Sequence, residues 1–246
     1  MFDLFADQLT RFFTWVNAWF WFQAMVKTMG MTVIGCGLGA IFGYILVFIR
    51  RTPGWYWSFA RLPMIFYVEI FRRIPFLVLL FLVLFVLQTT GLDVQLFTVA
   101  CISVTIISTA FIAEIIRAGL DSVHQTQWDT AESLNFGRIK TLGYVVMPQA
   151  WKVILPPAFA FFVMFIKDTA LASQVGVLEL TLVGKLYNNR GISAILAFGT
   201  CLILYFILSF PLTNFGWWME KRLGRRKIGI EEEEGSVMAG YQLRHT

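Results

Sequence analysis

Lys167 and Asp168 are adjacent ionisable residues inside a stretch of apolar sequence, and fourteen residues from Val153 to Ile166 separate them from the nearest aqueous edge. At about 1.5 Å of helix rise per residue they lie roughly 21 Å into a bilayer. Charge at that depth is costly and is kept where it faces a bundle interior or a wet cavity. The pair therefore reads either as an ion lock between helices or as part of a path for a charged or zwitterionic solute, and both readings stay open. Thr169 and Ser173 follow on the same helix and would extend a polar lining. Glu114 and Arg117, at i,i+3, read as a structural pair. Catalytic chemistry finds little to use. His124 and His245 stand apart in aqueous segments without a ligand cluster, so neither a catalytic residue nor a metal site is expected. Gly184-Lys185 is followed by Leu186 rather than Ser or Thr, and no GxxxxGK[ST] phosphate loop occurs.

The elements that must position these residues are membrane helices. Of 246 residues, 58% are hydrophobic and only 14% charged, with mean hydropathy +0.69. A water-facing surface needs roughly 25% charge, so a soluble enzyme, a disordered linker and a nucleic-acid binder are all excluded as readings. Four apolar runs are long enough to cross about 30 Å of hydrocarbon: Thr28 to Ile49, Ile74 to Leu92, Val94 to Ala113 and Gly191 to Met219. The second extends back toward Leu62, and a fifth runs from Val153 to Leu178 across Lys167 and Asp168. Residues 1–22, rich in Phe and Trp (Trp15, Trp19, Trp21), read as an interfacial segment, residues 23–219 as the transmembrane domain and residues 220–246 as a cytoplasmic tail. Among the 20 basic residues only Arg11, Lys27, Lys167, Lys185 and Arg190 fall outside or within the membrane if the C-terminus is cytoplasmic, so the charge rule gives N-out and C-in. Cys36, Cys101 and Cys201 are an odd number buried in apolar runs and read as small hydrophobes. Gly35, Gly39 and Gly43 form two overlapping GxxxG steps, a face for close helix packing.

The longest aqueous segment, within residues 121–151, has internal order. Gln125 to Leu134 predicts a short helix, Asn135 a left-handed turn, and Phe136 to Met147 a second helix ended by Pro148. Two short helices on the inner face make a surface for docking.

The run Asp129-Thr130-Ala131, then Glu132, Ser133 and Leu134, then Asn135, and later Met147-Pro148-Gln149-Ala150 resembles the EAA loop of ABC importer membrane subunits: Glu-Ala-Ala, three residues, Gly, and Leu-Pro about a dozen residues on. Ala113-Glu114-Ile115-Ile116-Arg117-Ala118-Gly119, Phe71-Arg72-Arg73-Ile74-Pro75 and Lys167-Asp168-Thr169-Ala170-Leu171 resemble the polar amino acid permeases within that family. The departures are Asp129 for Glu, Thr130 for Ala and Asn135 for Gly, which keep the acid and the turn.

The resemblance implies an all-α integral membrane protein with the type I ABC importer fold and about five spans. It further implies a permease subunit for amino acid import, in the bacterial plasma (inner) membrane. Asp129, Thr130, Ala131, Glu132, Asn135, Phe136 and Gly137 would dock on an ATPase, and Lys167, Asp168, Thr169 and Ser173 would border the substrate pathway. The expected partners are two ATP-binding subunits, a second permease subunit (a relative rather than a copy), an extracytoplasmic solute-binding protein, the amino acid and membrane lipid. This chain would bind no cofactor of its own, ATP and Mg belonging to the ATPases. The rival readings are a secondary transporter, which would show repeat halves, and an intramembrane enzyme, which would need a catalytic cluster at one depth; the sequence offers neither.

Overall fold

The computed structural model describes residues 10, 12, 14–51 and 55–242. The rest of the interfacial segment and His245 lie outside the described residues. The helices are α1 (Trp15–Arg51), α2 (Trp55–Phe71), α3 (Phe76–Thr89), α4 (Leu96–Asp121), α5 (Gln125–Ser133), α6 (Arg138–Lys140), α7 (Met147–Asp168), α8 (Leu180–Asn189) and α9 (Ala194–Gln242). A π-helical stretch, Thr141–Val146, joins α6 to α7, and a 3₁₀ stretch, Thr169–Val175, continues α7. Among the described residues four helical stretches are long and apolar enough to cross a membrane, and a fifth span results if α2 and α3 count as one bent unit.

The chain divides into two compact units, Met1–Arg117 with Phe161–Pro211, and Ala118–Ala160 with Leu212–Thr246. In the first unit α1 packs directly on α4. A side chain at Gly39 would come within 2.9 Å of the Thr109 backbone nitrogen, and one at Gly43 within 3.0 Å of that of Ala113. The GxxxG face is thus where two backbones meet, and the Ser108 hydroxyl exploits the approach by donating to the Gly35 carbonyl at 2.9 Å. Hydrocarbon offers no solvation drive between helices, so close packing of this kind is what holds them together.

Three sequence boundaries shift. The apolar register runs through the tryptophans without a break, so α1 already begins at Trp15 and the boundary after Phe22 falls inside it. Trp15 and Trp19 are exposed, but Trp21 is buried, stacked on Tyr187 with centroids 5.6 Å apart. The second span is not straight, because α2 and α3 meet at a bend of 116°. Pro75 cannot continue a helix from Ile74 and pushes that residue out of the helical region, so Arg72 and Arg73 form an elbow rather than a helix end at the membrane edge. Pro148 does not end the second helix of the inner segment, since the helix runs on through it as α7. The π-helical turns just before it widen the spiral where the proline ring would otherwise meet the carbonyl one turn back. Pro211 likewise lies inside α9, which continues past it.

Replacing Gly39 by Ala should therefore push α1 and α4 apart and cost about 1–3 kcal/mol, as overpacking of a tight core does. Gly37→Ala, where nothing lies within 4 Å of an added methyl, should be neutral. Melting in detergent, followed by size-exclusion fluorescence, checks the contrast.

Candidate coupling segment and translocation path

Residues 124–149 form a hydrogen-bonded two-helix hairpin. His124 caps α5, its Nδ1 accepting the Thr126 N–H at 3.3 Å. Along the helix the Gln125 amide donates to Asp129 Oδ1 at 3.0 Å and the Ser133 hydroxyl to the Asp129 carbonyl at 2.9 Å. The chain then reverses at Asn135, whose φ of +58° is the one positive value among the described non-glycine residues. Asn135 N–H bonds the Glu132 carbonyl at 2.8 Å and Phe136 N–H the Ala131 carbonyl at 2.9 Å. That pair of bonds is a Schellman ending, and it consumes carbonyls that α5 would otherwise leave open. The Thr141 hydroxyl closes the far side on the Phe136 and Gly137 carbonyls, and Gln149 of α7 donates to Gln127 Oε1 at 3.1 Å.

Ala131 is buried under this turn while Asp129, Thr130, Glu132, Asn135, Phe136 and Gly137 are exposed. Beside them Leu134, Ile139 and Tyr144 are also exposed, Tyr144 to 78%. A polar hairpin with large apolar side chains held open has the makings of a protein contact.

Around Lys167 and Asp168 the helix changes type. Lys167 is exposed and Asp168 half-buried, and among the described residues no ion pair within 4 Å joins them to each other or to a third group. Just beyond, α7 tightens into the 3₁₀ stretch, which Gly176 ends at φ +90°. Thr169 is buried and donates to the Ile166 carbonyl at 2.7 Å. Ser173 is buried too, donating to the Ala170 carbonyl and accepting Lys185 Nζ at 3.1 Å. The two hydroxyls lie behind the surface that Lys167 presents.

The Glu114–Arg117 pair forms as the i,i+3 spacing requires, with two bonds of 2.6 and 2.9 Å, and Arg72 from the elbow adds a contact of 3.5 Å to the same carboxylate. The elbow arginines are thus committed to acids, for Arg73 pairs with Glu69 at 2.7 Å.

One polar residue escaped the sequence reading. Glu179 is fully buried and caps α8, its carboxylate accepting the Thr181 N–H at 2.8 Å, the Leu182 N–H at 2.7 Å and the Tyr205 hydroxyl at 2.7 Å. Burial pushes this carboxyl above its usual range, and the hydrogen bonds from Thr181, Tyr205 and Leu182 pull it back only part of the way. The apolar runs of the sequence leave residues 180–189, where α8 lies, without an assigned helix. The signal was the spacing of its buried residues Leu180, Val183, Gly184 and Tyr187, one face of a helix, ended by Gly191 at φ +86°.

Residues 55–225 match the family described as the binding-protein-dependent transport system inner membrane component. The chain belongs to that family. It is 32% identical over 157 residues to a probable glutamine ABC transporter permease protein of Bacillus subtilis, covering 64% of this chain and 73% of the relative. Against a glutamine transport system permease protein of Escherichia coli the identity is 28% over 217 residues, 86% of this chain and 98% of the relative. A crystal structure of an amino acid ABC transporter with histidines superposes with a TM-score of 0.78 at 24% identity, over 89% of this chain and 98% of that one. The fold is that of the type I importer permeases, and the protein is an inner membrane component of a transport complex.

In this permease a left-handed Asn135 makes a specific demand. Asn135→Gly should be nearly neutral, whereas Asn135→Val, with a β-branched side chain at positive φ, should destabilise the hairpin by about 1–2 kcal/mol. Faster amide exchange across residues 125–140 in the Val variant alone is the expected readout.

Proposed function

We propose that this chain is the permease subunit of an ATP-driven importer of polar amino acids, oriented N-out and C-in. The observation that carries the reading is the knit hairpin of α5 and α6, which exposes Leu134, Phe136, Ile139 and Tyr144 beside Asp129, Thr130, Glu132, Asn135 and Gly137. Ala131 serves from beneath by holding the turn. On this reading the hairpin seats in an ATPase subunit, one for each of two permeases, and closure of the ATPases rocks the helices. The chain carries no phosphate loop, so ATP and Mg are assigned to those partners and no cofactor to this chain. The second permease is assigned as a relative rather than a copy, and solute arrives from an extracytoplasmic binding protein. The relatives named for glutamine support an amino acid as substrate.

Lys167 and Asp168 are assigned to the wall of the path. The exposure of Lys167 and the lack of an ion pair at either residue among those described favour this over an ion lock. Thr169 and Ser173 are assigned to the same wall from behind, fixing the 3₁₀ turn that presents the pair.

The test is reconstitution with the ATPase, permease and binding-protein partners in proteoliposomes, ATP supplied on the ATPase side. Lys167→Met combined with Asp168→Asn removes both charges at once and leaves the net charge unchanged, and the complex should assemble. Uptake should fall about tenfold, equivalent to about 1.4 kcal/mol, with loss of substrate-stimulated ATP hydrolysis. Normal uptake by an assembled double variant would take both residues out of the path.

A further inference from the structure

We propose that the inner ends of α7 and α9 form a binding site for the headgroup of an anionic phospholipid. The site begins with two tryptophans. Trp217 and Trp218 are 62% and 49% exposed, and each has a cation on its ring face: Lys221 Nζ lies 4.2 Å from the Trp217 centroid and Arg222 Cζ 4.4 Å from that of Trp218. Both pairs are at i,i+4, so the two rings and the two cations share one side of the helix. Neither Lys221 nor Arg222 has an acid within 4 Å among the described residues. The rings hold these charges in place without neutralising them, so each cation can still receive an anion.

A second helix arrives at the same level. Helices α7 and α9 lie side by side where the Phe159 and Phe215 rings are 5.3 Å apart and where Gly216 lies against Phe159. They run in opposite senses, so seven residues back along α7 and seven forward along α9 cover the same distance of roughly 10 Å. Those steps reach Lys152 and Arg222. Lys152 is exposed, as is its neighbour Trp151. By that count Lys152 falls near the level of Arg222, with the exposed Trp151 beside it.

The order along α9 decides the occupant. Going inward, the exposed Phe215 gives way to Trp217 and Trp218 and then to Lys221 and Arg222, while Lys152 and Trp151 follow Val153 on α7. That is the order of a lipid molecule: acyl chain, glycerol and ester region, charged headgroup. Tryptophan is enriched at the middle level of a bilayer, and basic clusters just past a span attract anionic lipid. Five of the seven residues from Lys221 to Lys227 are basic, so the charge continues beyond the described cations. A docking surface for a soluble partner would not need the apolar-to-indole-to-cation gradient.

The assembled transporter, purified in mild detergent and examined by native mass spectrometry after incubation with phosphatidylglycerol or phosphatidylcholine, tests this. Wild type should retain phosphatidylglycerol and not phosphatidylcholine. Lys221→Gln with Arg222→Gln should reduce retention several-fold with the ATPase subunits still bound, Lys152→Gln should reduce it less, and Lys221→Arg with Arg222→Lys should restore it. Equal retention of phosphatidylglycerol by wild type and the Gln double variant overturns the proposal. So does a double variant that sheds its ATPase subunits while keeping the lipid, which would make this surface a protein contact.

Discussion

Within hydrocarbon no water is present to pair an open backbone group, and each unpaired N–H or C=O costs several kcal/mol. The rest of this fold follows from that constraint. Outside the bilayer the same demand falls on backbone groups that are buried against the protein, and the chain meets it at several of the described breaks. Asn135 and Phe136 close the end of α5, Gly176 and Val177 return to Ser173 and Ala172, and Gly191 and Ile192 return to Asn188 and Tyr187. At the start of α8 a buried carboxylate, Glu179, takes the first N–H groups. These described breaks are well satisfied.

The chemistry of the permease gathers at those breaks. A continuous helix spends its backbone on itself and shows its neighbours only side chains, whereas a break redirects the chain and can present a surface. The elbow at Arg72 to Pro75 brings an arginine to the Glu114 carboxylate on α4. The tightening after Asp168 turns Thr169 and Ser173 inward and leaves Lys167 outward. The reversal at Asn135 holds Leu134 and Phe136 exposed where a stray apolar side chain would ordinarily fold back and bury.

How much of this could be read from sequence depends on the length scale of the signal. Spans declare themselves because about twenty apolar residues in a row match the thickness of a bilayer and suit little else. The glycine face is as plain, because small residues at four-residue spacing lie on one side of a helix. The Asn135 turn was legible for a stereochemical reason, since Asn tolerates positive φ and the flanking pattern required a reversal. Pro148 misled because the cost of an interior proline was relieved by the π-helical turns before it, a non-local choice of backbone. Helix α8 was missed because it is short and its capping residue is Glu, outside the set of Ser, Thr, Asp and Asn that announces a helix start. Burial of Glu179 against Tyr205 joins positions 26 apart in the chain, which no local window contains.

The central claim is that the hairpin of α5 and α6 is the surface an ATPase seats upon. Single cysteines at Thr130, Ala131 and Ser133 test it most directly, because the native Cys36, Cys101 and Cys201 are all buried. Labelling with an impermeant maleimide should be fast at 130 and 133 in the permease alone and strongly suppressed once the ATPase subunits bind, with position 131 slow in both states. Equal labelling of positions 130 and 133 with and without bound ATPase would contradict the account.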